Sequence, residues 1–468
     1  MARTVVMVMA GGKGSRLGPL TCHRAKPGVP FAGRYRIIDF VLSNFVNSGY
    51  RRIYVLTQYM ASSLIKHINR NWHLGGLDHY IEIVPAQMRH GEHWYRGTAD
   101  SIFQNLNLIR DSRADLVAVF GGDHIYKFDV RQMERYHRDV GADLTIAACP
   151  VPRSEASAFG VIQVDSDGRV VGFQEKPADP TPVPGRPDTC LVSMGNYLFD
   201  ADLLMKALYE DNEDPDSSHD FGKDIIPRLL AEGRDLRVYD FGANDVRGEP
   251  DKATPYWRDV GTIESYVAAN VDVRSPVPTL NMYNRTWRIR SAQRDYPPAR
   301  FTRAPGGAEV AVEDSLVCEG SIVVSATLQR ALIGYDCYVH AGASVTDSIL
   351  FSGCNVGAGA QIANVLFDKN CHIAPGARIG LDADEDARRF PFRTQGGIVV
   401  LPKGTIVPAS GPIEFAGDIG HMLESDPATR DAMAAMDGHY RIGARHRHSY
   451  ESSGPRYSRY RGSQSETP

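Results

Sequence analysis

The chain of 468 residues is 43% hydrophobic and 23% charged, with a formal net charge of −4 at pH 7 and a pI near 6.4. That balance suits a globular protein of two or three domains and excludes an overall positive field for nucleic acid, so a polyanionic ligand must meet local basic groups. No apolar run approaches the roughly 20 residues of a membrane span, the run Val5 to Ala10 is too short for a signal peptide, and seven scattered cysteines without a CxxC pair point to a reducing cytoplasm.

Along the first half, short β-rich runs alternate with helical stretches. "TVVMVMA", "RRIYVLTQ", "ADLVAVFGGD" and "GADLTIAACPV" are predicted strands. "FVLSNFVNSG" and "ADSIFQNLNLIRD" are predicted amphipathic helices, with Thr98 placed to cap the second. The alternation predicts an α/β, Rossmann-like domain over residues 1–275 with a mostly parallel sheet, whose ligands bind beyond the carboxyl ends of the strands. Two glycine turns fall on that edge. In "VVMVMAGGKGSRLGPLT", Gly11, Gly12 and Gly14 let backbone N–H groups approach a phosphate chain, and Arg16 adds a planar fork of donors. The run matches neither G-x-x-x-x-G-K-[ST] nor G-x-G-x-x-G, because Leu17 stands where the last glycine of the second motif belongs. The second turn, "GGDH", puts Asp123 at the end of a buried strand, where a carboxylate either caps the turn or meets a divalent cation.

Residues 276–308, rich in Pro, Arg and Asn, read as a connector. Over 309–410 a different period takes over. Ile322, Val339, Val356 and Ile373 are spaced by 17, as are Leu328, Val345, Ile362 and Ile379, and Ile333, Leu350 and Phe367. The residue two places before each is small or modest, from Gly320 and Ala326 to Cys371 and Ala377. Positions two apart share a strand face. Each repeat is therefore three short strands around a triangular coil, and stacked coils bury a core that none could bury alone. The prediction is a left-handed parallel β-helix, broken at "LDADEDARRFPFRTQGG" and resuming at Val400 and Ile406. Cys337, Cys354 and Cys371 occupy small inward slots; a metal ladder is conceivable there, but a small buried hydrophobe is the reading taken. Residues 411–468 form a tail, polar and predicted disordered from about 437.

The opening loop followed by "RAKPGVPFAGRYRIIDFVLSN" resembles the signature of sugar-nucleotide pyrophosphorylases. "PAQMRHGEHWYRGTADSIFQN", "GGDHIYKFD", "FQEKP", "VSMGNYLFD", "SSHDFGKDIIP" and "PYWRDVGTIESYVAANVD" narrow the resemblance to the bacterial ADP-glucose-forming enzymes, the glucose-1-phosphate adenylyltransferases, from about residue 4 to about 408. The resemblance implies that ATP and glucose 1-phosphate give ADP-glucose and diphosphate with Mg²⁺, as the first committed step of glycogen synthesis. It also implies a cytoplasmic homotetramer. The attacking sugar phosphate is already an anion, so positioning and electrostatics carry such a reaction.

On this resemblance Gly11, Gly12 and Gly14 hold the triphosphate, Arg16 and Lys26 are the catalytic cations, and Asp123 and Asp259 hold the metal. Gln87 reads the adenine edge, where an amide can donate and accept at once, beside Gly97 and Thr98. Lys176 binds the sugar phosphate, Glu175 accepts from sugar hydroxyls, and Tyr95, Gly160 and Ser193 complete the glucose 1-phosphate site. Plainer roles stand beside these: a core aromatic for Tyr95, an exposed ion pair for Glu175 and Lys176, a solvent-facing amide for Gln87.

The resemblance further implies effector binding between the two domains, with phosphorylated or carboxylate glycolytic intermediates as ligands. Arg24 and Arg36 match basic positions of that site, and Lys369 stands where enteric members carry arginine. His23 replaces a lysine, Pro30 a histidine and Asp111 an arginine, which should weaken capture of a bisphosphate and favour a monophosphate or carboxylate such as fructose 6-phosphate or pyruvate. Three alternatives remain at this point: a catalytically silent regulatory subunit, a pyrophosphorylase for another nucleotide and sugar phosphate, and a β-helix acyltransferase using His340 or His372. Retention of Arg16, Lys26, Asp123 and Lys176 argues against the first.

Overall fold

The computed structural model describes residues 3–76, 78–250 and 255–416, and the backbone of 440–442. The rest of the tail, including most of the stretch predicted disordered, lies outside the described residues.

The four predicted strands of the first half form as Thr4–Met9, Arg52–Thr57, Leu116–Gly121 and Leu144–Pro152. Thr4–Met9 pairs in parallel with Arg52–Thr57 on one side and Leu116–Gly121 on the other, and Tyr80–Pro85 extends the parallel half outward. A long strand, Thr189–Asp200, joins this half to the rest of the nine-stranded sheet by antiparallel pairing. Val6 and Val8 face a core with Val41 and Phe45 of helix Ile38–Asn47, while Val5 and Met7 face a second core with Ala99 and Ile102 of helix Thr98–Phe103. Both faces are covered, which is why these strands read as continuous apolar runs rather than as alternation.

The second predicted helix divides into Thr98–Phe103 and Leu106–Ser112. Gly97, not Thr98, is its cap residue, and no side chain caps it. The Thr98 hydroxyl instead accepts from the Phe221 N–H at 3.0 Å and donates to Asp220 Oδ2 at 3.0 Å. A tertiary partner thus replaces the local cap expected from the sequence.

Beyond helix Ile263–Arg274 the chain enters three parallel ladders. Leu328 pairs with Val345, Val345 with Ile362 and Ile362 with Ile379; Ile333, Leu350 and Phe367 stack likewise. This is the left-handed parallel β-helix. Its first strand is Arg300–Thr302, inside the stretch read as a connector, and pairs with Ile322–Val324. The first coil differs from the 17-residue pattern by one residue, and the resumption after the break keeps that pattern, one residue beyond the expected positions. Val323, not Ile322, pairs with Val339 and is fully buried. After the break, Leu401 and Val407 take the inward positions rather than Val400 and Ile406, so that Ile406 is 44% exposed and Val407 fully buried. A slip of one residue exchanges the faces of a strand, and a constant period cannot register a coil one residue short.

All seven cysteines are free. Cys337, Cys354 and Cys371 donate to backbone carbonyls of Phe351 and Asp368 inside the β-helix, as small buried groups do. His340 packs on Tyr338 with ring centroids 4.2 Å apart, and His372 is exposed. The two domains share one core: Tyr266 of the last catalytic-domain helix meets Phe31 and, across the boundary, Phe351, with ring centroids 6.3 and 6.4 Å apart. Each such buried ring contributes about 1.5–3 kcal/mol. Among the described residues no helix is long and apolar enough to cross a membrane.

Candidate active site

Two glycines set the positions of two charged groups at the carboxyl edge of the sheet. Gly14 has φ +65°, and a Cβ there would lie 2.7 Å from Lys26 Cβ, so only glycine lets the opening loop lie against the Lys26 segment. Gly122 donates its N–H to the Met9 carbonyl at 2.9 Å, and a Cβ there would press on that same oxygen at 3.1 Å. Asp123 is thereby delivered beside the end of the opening strand. A two-stranded ribbon, His124–Tyr126 with Trp257–Asp259, brings Asp259 opposite His124.

Lys26 Nζ lies 2.9 Å from Asp123 Oδ2 and 2.7 Å from Asp259 Oδ1. Arg16, mostly exposed, stands 3.9 Å from Asp259 Oδ2. Burial opposes charge on Lys26, but Asp123 and Asp259 outweigh it and raise its pKa above the ordinary lysine value. Burial likewise opposes charge on Asp123, yet Lys26 and then His124 hold its carboxyl well below the usual carboxylate range. One ligand atom each from Asp123, His124 and Asp259 lie within 4.8 Å of one another. Two carboxylates form a hard oxygen donor set that fits a divalent cation. The His124 ring adds a nitrogen to the group, its Nε2 3.6 Å from Asp123 Oδ1.

A cavity of about 340 Å³ opens beside these carboxylates and is lined by Gly11, Gly12, Gln58, Tyr95, Thr98 and Asp220, among others. Gln58 pins the far wall: its amide oxygen accepts from the Tyr95 N–H at 2.7 Å and its amide nitrogen donates to the Tyr95 carbonyl at 3.2 Å. Gly97 also lines it, and a Cβ there would sit 2.2 Å from the His219 carbonyl oxygen. Its φ is −157°, so close packing rather than backbone conformation requires the glycine. Tyr95, expected on the sugar side, thus shares a wall with Gly97 and Thr98. Gln87 is exposed, accepts from Arg89 at 3.2 and 3.3 Å, and is not among the cavity-lining residues. Larger grooves of about 710 and 770 Å³ lie elsewhere, and neither touches Asp123 or Asp259.

The residues expected for the sugar phosphate form a second wall. A Cβ on Gly160 would lie 2.5 Å from the Phe173 ring and 3.1 Å from Glu175 Oε2, and one on Gly222 would lie 2.4 Å from that same oxygen. The Glu175 carboxylate is thus held between two side-chain-free positions. Lys176 is exposed and pairs with Glu175 through its Nζ, on a backbone with φ +45°, a strained setting for a residue with a Cβ. The buried Ser193 hydroxyl accepts from Gly195 N–H at 3.2 Å, within the irregularity that interrupts Thr189–Asp200. Trp257 links this wall to the carboxylates, its ring centroid 5.2 Å from both Phe159 and His124.

The cations expected to bind effectors gather at the domain boundary. Arg24 is buried and donates from Nη2 to both oxygens of Asp368, at 2.9 Å each. Arg36 donates from Nη1 to the carbonyl and hydroxyl of Ser63. The space a Gly28 side chain would fill is 3.5 Å from Arg36 Nη1 and 3.8 Å from Arg24 Cβ. Burial, reinforced by Arg36, Arg24 and Arg294, pushes the Lys369 ammonium down to about 6. His23 is partly buried beside Arg24 in the chain, and Asp111 is exposed on the helix that follows Asn105.

Sequence reasoning missed Gln58, His124, Asp220, Trp257 and Arg294. Only the "GGDH" turn offered a local sign, in the His next to Asp123; the others reach their sites by long-range pairing.

The family model described as nucleotidyl transferase matches residues 5–275, and that described as GlmU-like, C-terminal hexapeptide, matches residues 297–401. A glucose-1-phosphate adenylyltransferase 1 of Vibrio vulnificus is 48% identical over 408 residues, 87% of this chain and 100% of that protein. One from Vibrio cholerae is 50% identical over 408 residues, again 87% and 100%. The glucose-1-phosphate adenylyltransferase of Thermus thermophilus is 49% identical over 404 residues, 85% of this chain and 97% of that protein.

Proposed function

The chain belongs to the glucose-1-phosphate adenylyltransferases of the nucleotidyl transferase family, and from that premise we propose how its residues carry the reaction. The enzyme joins ATP and glucose 1-phosphate to give ADP-glucose and diphosphate. A phosphate oxygen of the sugar attacks the α-phosphorus of ATP, and the bond from that phosphorus to the bridging oxygen of the leaving diphosphate breaks. No proton has to be removed from the nucleophile, so the work is to hold two anions together against their repulsion.

The observation that carries this reading is the meeting of Lys26, Asp123 and Asp259 beside a glycine-lined cavity. Gly11, Gly12 and Gly14 offer backbone N–H groups to the triphosphate. Arg16, exposed at the rim, adds a fork of donors for phosphate oxygens. Asp123 and Asp259 hold Mg²⁺, which when bound neutralises charge on the triphosphate. Gly97 and Thr98 shape the wall for the nucleoside, with Gln87 approaching the base from outside the cavity. Glu175 takes hydrogen bonds from sugar hydroxyls, Lys176 meets the sugar phosphate, and Gly160 and Ser193 bound that pocket, with Tyr95 facing it from the wall it shares with Gly97 and Thr98.

Arg24, Arg36, Lys369 and His23 form the effector site, and the Arg294 side chain adds a cation from the connector. A monophosphate or a carboxylate matches this charge. The homotetramer, the role in glycogen synthesis and the cytoplasmic setting belong to the same reading; free thiols throughout are consistent with the last.

Release of diphosphate, measured with glucose 1-phosphate and each of ATP, UTP, GTP and dTTP, tests the reading. ATP is expected to be used best, and Asp123→Asn to lower kcat by roughly 10²–10³-fold, the scale of losing a main electrostatic stabiliser. Full activity in that variant overturns the metal assignment, and equal use of the four nucleotides overturns the nucleotide assignment.

A further inference from the structure

At the domain boundary the positive groups outnumber the carboxylates that could balance them. Arg24 and Arg36 flank the space left by Gly28, and Arg294 comes from the connector, its guanidinium carbon 5.1 Å from the centre of the Tyr335 ring; Lys369 follows Asp368, the partner of Arg24, on the β-helix, and its ammonium is repelled by all three guanidinium groups. Asp368, the residue before it, is the carboxylate that favours charge on Lys369. Both its oxygens are already engaged by Arg24, and one also accepts the Lys369 backbone N–H at 2.7 Å. Asp39, which acts on Arg36, is committed to His67, Trp72 and Ser291. Among the described residues no carboxylate lies within ion-pair distance of Lys369 Nζ.

We propose that Lys369 enters this cluster as a neutral amine and takes up a proton when an anionic ligand binds, so that effector capture is coupled to proton uptake. The inference rests on the effector-site reading above. The three guanidinium groups cannot give up their protons, whereas an amine can. Removing its charge is therefore the way an empty, half-closed cluster sheds repulsion. The depressed Lys369 value agrees with this arrangement. A bound dianion reverses the balance: it neutralises the arginines and supplies Nζ with acceptors, favouring the ammonium.

Sulfate is the cleanest probe because it carries no titratable proton near neutrality, and fructose 6-phosphate serves as the sugar-phosphate probe. The experiment is calorimetric titration of the full-length enzyme at pH 7.5 in two buffers of different ionisation enthalpy. Uptake approaching one proton per bound sulfate is expected. Affinity should fall by up to about tenfold per pH unit from pH 6.5 to 8, the slope for one linked proton. Lys369→Arg, permanently charged, should bind without uptake and with a flat pH dependence. Lys369→Met should bind without uptake and more weakly.

Binding with no uptake in the parent overturns this inference and leaves the effector site standing. Uptake that persists in Lys369→Arg assigns the proton to another group and overturns it too. Failure of both probes to bind the parent, or binding unaffected by Arg36→Gln, overturns the effector-site reading itself.

Discussion

Arg24 and Asp368 stand 344 residues apart in sequence, yet Arg24 Nη2 meets both Asp368 oxygens at 2.9 Å, with both side chains closed to solvent. This pair ties the loop after the glycine turn to the β-helix. Breaking one partner strands a buried charge, which costs about 3–5 kcal/mol, whereas replacing both with apolar groups costs much less. Chemical denaturation is therefore expected to show Asp368→Leu far less stable than the parent, and the Arg24→Leu, Asp368→Leu double variant to recover much of the loss.

Lys26 stands between the two carboxylates that are to hold the metal. Its removal leaves two like charges close together, with only the more distant Arg16 and His124 beside them. For Lys26→Gln, kcat should fall by roughly 10²–10³-fold, while Mn²⁺ binding, followed by paramagnetic resonance, should tighten by about tenfold, the scale of relieved competition between close charges. The metal-free variant should also melt below the parent and gain more from added Mg²⁺.

Gly97 has room for no side chain, since a Cβ would lie 2.2 Å from the backbone oxygen of His219. His219 is itself fixed through its ring, with Nδ1 2.7 Å from Asp211 Oδ2, so the wall cannot give way cheaply. Gly97→Ala should cost about 1–3 kcal/mol of stability through overpacking and raise the KM for ATP more than that for glucose 1-phosphate. Steady-state kinetics with each substrate varied in turn checks this split.

Several parts of this arrangement were legible in the sequence. The alternation of strands and helices announced the mostly parallel sheet, and the 17-residue period announced the coils. Glycines at Gly11, Gly12 and Gly14 and the "GGD" turn marked the strand ends where charge collects. Other parts were not. Thr98 looked like a helix cap, but its partners lie more than 120 residues onward at Asp220 and Phe221, and local pattern carries no information about such a pairing. The coil that loses one residue at Val323 escaped because a fixed spacing assumes equal turns, whereas Leu401 and Val407 lie two whole 17-residue periods beyond Phe367 and Ile373, so the same spacing carried across the break reaches them. Asp220, Trp257 and Arg294 are ordinary residues in sequence and acquire a role only when the loop, the ribbon and the connector converge.

Lys369 gives a pH dependence of stability with a definite sign. In the fold its value is lowered to about 6, against about 10.4 in an unfolded chain. Between those values the unfolded state holds more protons, so this group makes stability rise with pH and penalises the fold increasingly as pH falls. Lys369→Met removes the penalty. Its melting temperature in anion-free buffer should exceed the parent's by several degrees at pH 6.5 and by less at pH 9; an advantage that grows with pH would show that the lysine is charged and paired in the fold.

The most direct test of the central claim is a crystal structure with Mn²⁺, glucose 1-phosphate and an ATP analogue whose α,β-bridging oxygen is replaced by carbon, with the manganese located by its anomalous signal. The expected result is manganese between Asp123 and Asp259, Lys26 turned from the carboxylates to the triphosphate, and the sugar phosphate between Lys176 and the α-phosphorus. Manganese elsewhere, with Lys26 still bridging the two carboxylates while both ligands are bound, would contradict it.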